Sequence, residues 1–320
     1  MAQVTGIGTS WNLPNFVGEL FTADSIQTPL LSMIGGLTNG LQTNNFEFPT
    51  AVLYDFPEAA QPNISETASA TAPEAAASAS TQETNVCQIF HEKIELTYAK
   101  ESQTGRLSGL NTANQYSHKD ETAVQIERKL KKIARDIEFT FLNGKYHKAV
   151  SSTEANKTRG LLELCTSDAG VSIAAGTKPL SKALLDQLFK EMADNGALFE
   201  NMVLFCGAHQ KQAITNIYAE QFKANMDSSR KIAGMNVKEI ETDFFKAGVL
   251  WDRLMPADAI IIADIAHIAP VFCPVPGKGV LFVEDLGKTG ASDPKQIYGQ
   301  IGLAHGPAFL HGAITGLTTA

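Results

Sequence analysis

SHKDETAVQIERKLKKIARDIEFTFLNG, residues 117–144, decides how the rest of the chain is read. Ile126, Leu130, Ile133, Ile137 and Phe141 recur at steps of four, three, four and four, which stacks them into one apolar stripe of an α-helix. Glu127, Arg128, Lys129, Lys131, Lys132, Arg135, Asp136 and Glu138 are assigned to the remaining, solvated surface. Ser117 offers an acceptor to the first free backbone N–H groups, and Asp120 and Glu121 suit the positive end of the helix dipole. Asn143-Gly144 is expected to turn left-handed and stop the helix. The spacing predicts a spine helix over residues 118–143. Its run from 120 to 143 would span roughly 36 Å, enough to cross a domain. With one apolar stripe, it reads as a spine that other elements lie against.

The composition suits one large or two modest domains with ample core: 320 residues, 44% hydrophobic and 19% charged. No apolar run approaches the ~20 residues needed to span a bilayer, so no membrane partner is expected. No Lys or Arg precedes a greasy segment at the N-terminus, and no signal peptide is expected. The glycosylation patterns Asn63-Ile64-Ser65 and Asn156-Lys157-Thr158 therefore carry no weight. Cys87, Cys165, Cys206 and Cys273 show no paired spacing and read as buried or incidental thiols in a reducing compartment.

The net charge of −8 is unevenly placed. Residues 1–92 hold nine carboxylates (Glu19, Asp24, Glu47, Asp55, Glu58, Glu66, Glu74, Glu83, Glu92) and no Lys or Arg. Removing those nine from the 34 acidic residues leaves 25 against 26 basic ones, a nearly neutral remainder. A basic N-terminal arm that grips nucleic acid is excluded. Any contact with nucleic acid should be weak and non-specific.

Residues 1–50 read as an arm. Residues 18–25 could form a short turn of helix, and Thr28-Pro29-Leu30-Leu31-Ser32-Met33-Ile34 is an apolar stop before Gly35-Gly36. Phe46-Glu47-Phe48-Pro49 reads as a strand ended by proline. These clusters cannot form a core alone and must lie on this subunit's spine or on a neighbour. Residues 51–99 read as an extended β-hairpin loop. Between Thr67 and Thr84, 14 of 18 residues are Ala, Ser or Thr, too few large apolar groups to fold unaided. A plain linker is the bland alternative. The alternation after it, with Ile94, Leu96 and Tyr98 on one face, argues for a strand and hence a protruding flap with a small, polar tip.

Residues 100–179 carry the spine and a Gly/Ser/Ala-rich connection. Residues 180–265 then read as a compact α/β lobe: a helix capped by Ser181 and ended by Asn195-Gly196, a buried strand at Met202-Val203-Leu204-Phe205-Cys206, and a helix over 208–224 with Ile214, Ile217 and Phe222 inward. Strand candidates follow at 237–240 and 249–251, and 259–263 is a core strand. Residues 266–320 return to β at 280–284, 296–303 and 309–314.

The motifs for chemistry fail on spacing. Gly287-Lys288-Thr289 lacks the earlier glycine of a phosphate loop, where Phe282 stands, and Gly277-Lys278-Gly279 fails at the same residue. His91-Glu92 lacks the second histidine of a zinc-protease helix, and the seven histidines show no ligand spacing. No nucleophile elbow is present. Glu239/Glu241 and Asp293 near Glu284 read as solvated charges. No catalytic residue, cofactor or metal is expected.

The order of parts resembles the major capsid protein of tailed phages. The resemblance rests on Thr28-Pro29-Leu30-Leu31-Ser32 in the arm, Asn85-Val86-Cys87-Gln88-Ile89-Phe90 leaving the flap, and Phe141-Leu142-Asn143-Gly144 ending the spine. Arg159-Gly160-Leu161-Leu162, Leu250-Trp251-Asp252-Arg253, Gly287-Lys288-Thr289-Gly290 and Ala304-His305-Gly306-Pro307 complete it. It implies an α+β capsid fold of the Hong Kong ninety-seven type. Residues 1–50 would be the N-terminal arm, 51–99 the extended loop, 100–179 with the return strands 266–320 the peripheral domain, and 180–265 the axial domain. It also implies assembly of hexamers and pentamers into an icosahedral virion shell around double-stranded DNA, formed in the host cytoplasm with portal, scaffolding and decoration proteins as partners. The assembly residues implied are the spine stripe, the loop tip (Thr67, Pro73, Glu74, Ser80) and an arm clasp on an adjacent subunit (Pro29, Leu30, Leu31).

Two departures from relatives carry expectations. Some carry a long N-terminal scaffolding segment; here scaffolding should come from elsewhere or have been cleaved off. The rival readings are a nanocompartment shell with the same fold, a minor virion protein, and an enzyme whose 180–265 lobe binds a small molecule. Other relatives weld subunits through a loop lysine bonded to an asparagine. With no lysine among residues 1–92, no such weld is expected from that loop. Boiled, reduced shells on a denaturing gel should therefore run as the monomer band alone. A ladder of covalent oligomers would defeat this.

Overall fold

The computed structural model describes residues 28–37, 40–54, 59–72, 78–101, 121–167, 169–225, 238–288 and 290–319. The helical turn expected at 18–25 and the cap at Ser117 and Asp120 lie outside them.

The spine is a single helix, Glu121–Asn143. Ile126, Leu130, Ile133, Ile137 and Phe141 are all buried, as the stripe requires, and Ala134 and Leu142 widen it. Glu138, assigned above to solvent, is fully buried on that widened face. Gly144 is not left-handed. It is needed because the chain passes so close there that a Cβ would lie 2.4 Å from the Thr140 carbonyl oxygen and 2.6 Å from that of Thr158. The Gly144 carbonyl also accepts the Gly160 N–H at 2.9 Å, which ties the helix end to the short helix Leu161–Cys165.

One side of the stripe meets a five-stranded sheet. Its long strand, Ser292–Ala304, pairs antiparallel with Gln88–Thr97 along one edge. Along its other edge it pairs with Leu281–Asp285 and then Ala269–Phe272, and Leu41–Gln42 adds parallel to the last. Phe90, Ile94 and Leu96 face inward from Gln88–Thr97. Tyr98, expected on the same face, is exposed because the strand ends before it and a helical turn, Tyr98–Glu101, begins.

The other side of the stripe meets the lobe. Its six-stranded sheet runs Val171–Ala174, Gly312–Thr315, Ile260–Asp264, Met202–Cys206, Lys246–Trp251, Glu239–Glu241. Two of these strands lie outside 180–265. The sheet therefore reaches back to residue 171, and Gly312–Thr315 joins it instead of returning to the first sheet. Both central strands are buried along their whole length because both faces are covered. Val203, Phe205, Ile261 and Ala263 join the spine core, whereas Leu204, Cys206, Ile260 and Ile262 pack with Leu185, Leu188, Phe189 and Met192 of the helix Lys182–Asp194 and Ile214 of Ala208–Asn225. Ser181 caps the first of these helices, its Oγ accepting the Leu184 N–H at 3.4 Å. Ile217 is half-buried, and Phe222's side chain lies outside the described set.

Where the two sheets adjoin sit two fully buried histidines. His311 Nδ1 accepts the Asp264 N–H at 3.2 Å and Nε2 donates to the His305 carbonyl oxygen at 2.6 Å, while His305 Nδ1 bonds the Gly306 carbonyl oxygen. Burial drives both imidazoles down from 6.5 to about 4, so they are neutral and structural. A folded-state value below the unfolded one means their contribution is present above about pH 6.5 and lost as pH falls toward 4. The thermal midpoint should drop over that window, by an amount on the order of a few kcal/mol in stability. A His305→Gln, His311→Asn double variant should descend less steeply. Parallel curves would rule out this assignment.

Candidate assembly surface

The element that leaves the body is the hairpin of Glu47–Tyr54 with Ser80–Val86. The first strand continues through Pro49, with a bulge between Pro49 and Ala51. A proline was expected to end it, but this is a two-stranded ribbon with open edges, where a missing N–H is tolerated. The root is fixed by Asn85, which is fully buried. Its Nδ2 donates to the carbonyl oxygens of Leu303 (2.8 Å) and Arg159 (3.3 Å), and its Oδ1 accepts the N–H groups of Arg159 (2.8 Å) and Val86 (2.9 Å). Phe48 lies flat over Gly302, where any Cβ would come within 2.8 Å of its ring. Lys148 Nζ reaches Glu47 at 2.6 Å, and that contact with Thr84 Oγ1 holds the Glu47 carboxyl below its usual range.

Beyond the root the described part of the hairpin is largely exposed. Residues 59–72 are exposed throughout, including a single helical turn, Glu66–Ser69, capped by Ser65. Ile64 is 70% exposed and Val52 49%. Thr67 and Ser80 lie on this exposed excursion, separated in sequence by Pro73 and Glu74, which are outside the described residues.

The other two sets of expected assembly residues are placed differently. Ile126, Leu130, Ile133, Ile137 and Phe141 belong to the subunit's own core, so they organise the subunit and present no face to a neighbour. Leu30 and Leu31, on the short helix Pro29–Met33, are fully buried against the same spine, and Pro29 is half-buried. Their side chains are therefore not free to clasp an adjacent subunit. The spine's outer side does offer an open groove against the strand Gln88–Thr97, lined by Ile89, His91, Glu92, Asp136 and Phe139. Phe139 and Ile89 are about half exposed there, at 53% and 50%. Partial burial pushes Glu92 upward, but hydrogen bonds from Lys129 and Lys132 outweigh it and hold the carboxyl low.

The motifs tested for chemistry are structural. Gly287-Lys288 sits in the turn between Leu281–Asp285 and Ser292–Ala304, with Lys288 paired to Asp293 at 3.3 Å. Lys278 pairs with Glu284 at 2.6 Å. Among the described residues no group of His, Cys, Asp or Glu could hold a metal ion, and no helix is long and apolar enough to cross a membrane.

A family model described as the SU10 major capsid protein matches residues 3–318. The chain belongs to that family. It is a structural protein of a tailed-phage capsid, not an enzyme. No curated protein matches the sequence. Among solved structures, the capsid of cyanophage A-1(L) is similar with a TM-score of 0.65 at 9% identity, over 92% of this chain and 94% of that one. The capsid of a native GTA particle matches at 0.60 and 12% identity, over 91% of each chain. The SrpI encapsulin of Synechococcus elongatus matches at 0.55 and 9% identity, over 92% and 89%. These likenesses show the fold, the Hong Kong ninety-seven type; the family match is what separates this capsid protein from a nanocompartment shell.

What sequence reasoning missed is the buried polar set: Asn85, Glu138, Asp252, Asp264, His305 and His311. For Glu138 a signal existed, because Leu130, Ala134 and Leu142 flank it at multiples of four. Asn85→Ala should strand the Leu303 carbonyl and the Arg159 N–H without partners in the dry root, at a cost on the order of 2 kcal/mol or more. Thermal unfolding of this capsid chain would register it as a lower midpoint. An unchanged midpoint would show that the root does not depend on Asn85.

Proposed function

We propose that the chain builds its shell from hexamers and pentamers, and that the hairpin of residues 47–86 lies across a neighbouring subunit. The observation that carries this is the exposure of residues 59–72 and 78–82, with Val52, at the outer end of a two-stranded ribbon. Such a ribbon is marginally stable on its own and gains order against a partner. Closed cyclic symmetry lets each subunit give one flap and receive another. Thr67 and Ser80, with Pro73 and Glu74, would rest on the receiving surface, and the open groove beside Phe139 is a surface of suitable character. In this reading the six-stranded lobe is the axial domain, and the five-stranded sheet with the spine is the peripheral domain.

The partners follow from the same reading: further copies of the chain, portal, scaffolding and decoration proteins, and phage double-stranded DNA inside the shell, with assembly in the host cytoplasm. The acidic charge of residues 1–92 supports a weak, non-specific contact with DNA. Among the described residues, deleting residues 67–81 removes only exposed ones, so the variant should keep the circular dichroism and thermal midpoint of a folded subunit. It should form few closed particles under negative-stain electron microscopy. Normal shells from the deletion would sink the flap's role. Nuclease-protected DNA in wild-type particles is the expected cargo, and a packaged enzyme in its place would favour the nanocompartment reading.

A further inference from the structure

The one buried carboxylate on the spine does a specific job. Glu138 Oε1 accepts the Leu30 N–H and Oε2 the Leu31 N–H, each at 2.7 Å. Those are the free first-turn donors of the helix Pro29–Met33, whose own preceding residue, Thr28, makes no side-chain cap. Residues 28–37 are thus pinned to the spine through a carboxylate that is 0% exposed, with Leu30, Leu31, Ile34 and Leu37 buried around it. Facing Glu138 from the turn after the strand Lys246–Trp251 is a second buried carboxyl, Asp252, 1% exposed. Asp252 Oδ1 accepts the Leu254 N–H at 2.7 Å, while Oδ2 finds no N–H or O–H donor. A carboxylic proton between the two side chains supplies that missing donor.

We propose that Glu138 and Asp252 form a proton-dependent latch: with one proton shared between them residues 28–37 stay docked on the spine, and losing it loosens that segment. Two carboxylates in one dry pocket cannot both ionise without severe repulsion. Burial, then the Asp252 charge and hydrogen bond, push Glu138 well above the carboxylate range against the two backbone N–H bonds, which pull the other way. Burial raises Asp252 as well. Among the described residues, Asp252 is the one titratable group acting on Glu138, and no cation offsets the pair. The proton belongs to the pair rather than to either member. Because the folded pair titrates above its unfolded value, the latch is complete at and below the ordinary carboxylate range. It weakens as pH rises through the raised value. This behaviour is a property of the single subunit and stands apart from how subunits assemble.

Hydrogen–deuterium exchange on the full chain, followed through peptides covering residues 28–37 from about pH 5 to about pH 10 and corrected for intrinsic exchange, tests it. Wild-type protection should fall by up to about tenfold per pH unit as pH climbs from the ordinary carboxylate range to the raised value, and level off above it, while peptides from Met202–Cys206 and Ile260–Asp264 hold theirs. Asp252→Asn places an amide N–H where the proton was, so the segment should stay protected with the descent abolished. Glu138→Gln keeps one acceptor of two, so protection should be lower at every pH and equally flat. Either a flat wild-type profile or an Asp252→Asn profile that descends like wild type would overturn the latch.

Discussion

Everything in this subunit depends on one helix having a single apolar side that two sheets must share. Fully burying each of Ile126, Leu130, Ile133, Ile137 and Phe141 contributes roughly 1.5–3 kcal/mol, and the core that joins the two sheets is built around them. Phe90, Ile94, Ile297 and Ile301 come to the stripe from the five-stranded sheet, and Val203, Phe205 and Ile261 come from the lobe. The result is one continuous core across both sheets, with a second confined to the lobe's outer face. The two lobed parts are therefore not independent beads; the spine is the floor of one and the wall of the other.

This arrangement also explains what was legible in sequence. The stripe's spacing, the flap's Ala/Ser/Thr composition and the all-apolar run 259–263 are local patterns, and each was read from its own neighbourhood. Glu138 was not, because its burial follows from Leu30 and Leu31 more than a hundred residues away, and a charged residue read locally belongs in water. Gly144 was given the wrong reason: helix-stopping glycines are usually left-handed, but this one is set by the approach of Thr158 from another loop. The lobe's limits failed similarly. Val171–Ala174 and Gly312–Thr315 are short and pair with each other across 140 residues, a register no single window contains. Of the expected assembly residues, Thr67 and Ser80 are exposed on the excursion, whereas burial puts the stripe and Leu30–Leu31 inside the subunit.

The flap shows the opposite balance. Its root is overdetermined, with Asn85 filling four hydrogen-bonding roles and Phe48 seated on a glycine, yet the described residues of its outer half, 59–72, are exposed throughout. A chain that evolved only to be a stable monomer gains nothing from fixing the base of a ribbon so firmly while leaving its length bare. Fixing the base sets the direction in which the ribbon leaves. Direction matters when the contact it makes is with another molecule, since a preset angle lowers the ordering cost of association.

The lobe contains a strand–helix–strand crossover, Met202–Cys206, Ala208–Asn225 and Lys246–Trp251, with the two strands parallel. In open α/β sheets the carboxyl ends of such strands are where ligands bind, beside the helix N-terminus. Here two of the polar side chains at that end donate to the backbone. Gln210 Nε2 donates to the carbonyl oxygens of Ala257 and Thr318, and Lys211 Nζ to that of Val249. The Asp252 N–H closes onto the Cys206 carbonyl across the strand ends. A crossover that would open a crevice in an enzyme is instead stitched to the last residues of the chain. The same supersecondary unit, with its polar groups turned from ligand to backbone, becomes a rigid wall, which is what a shell asks of it.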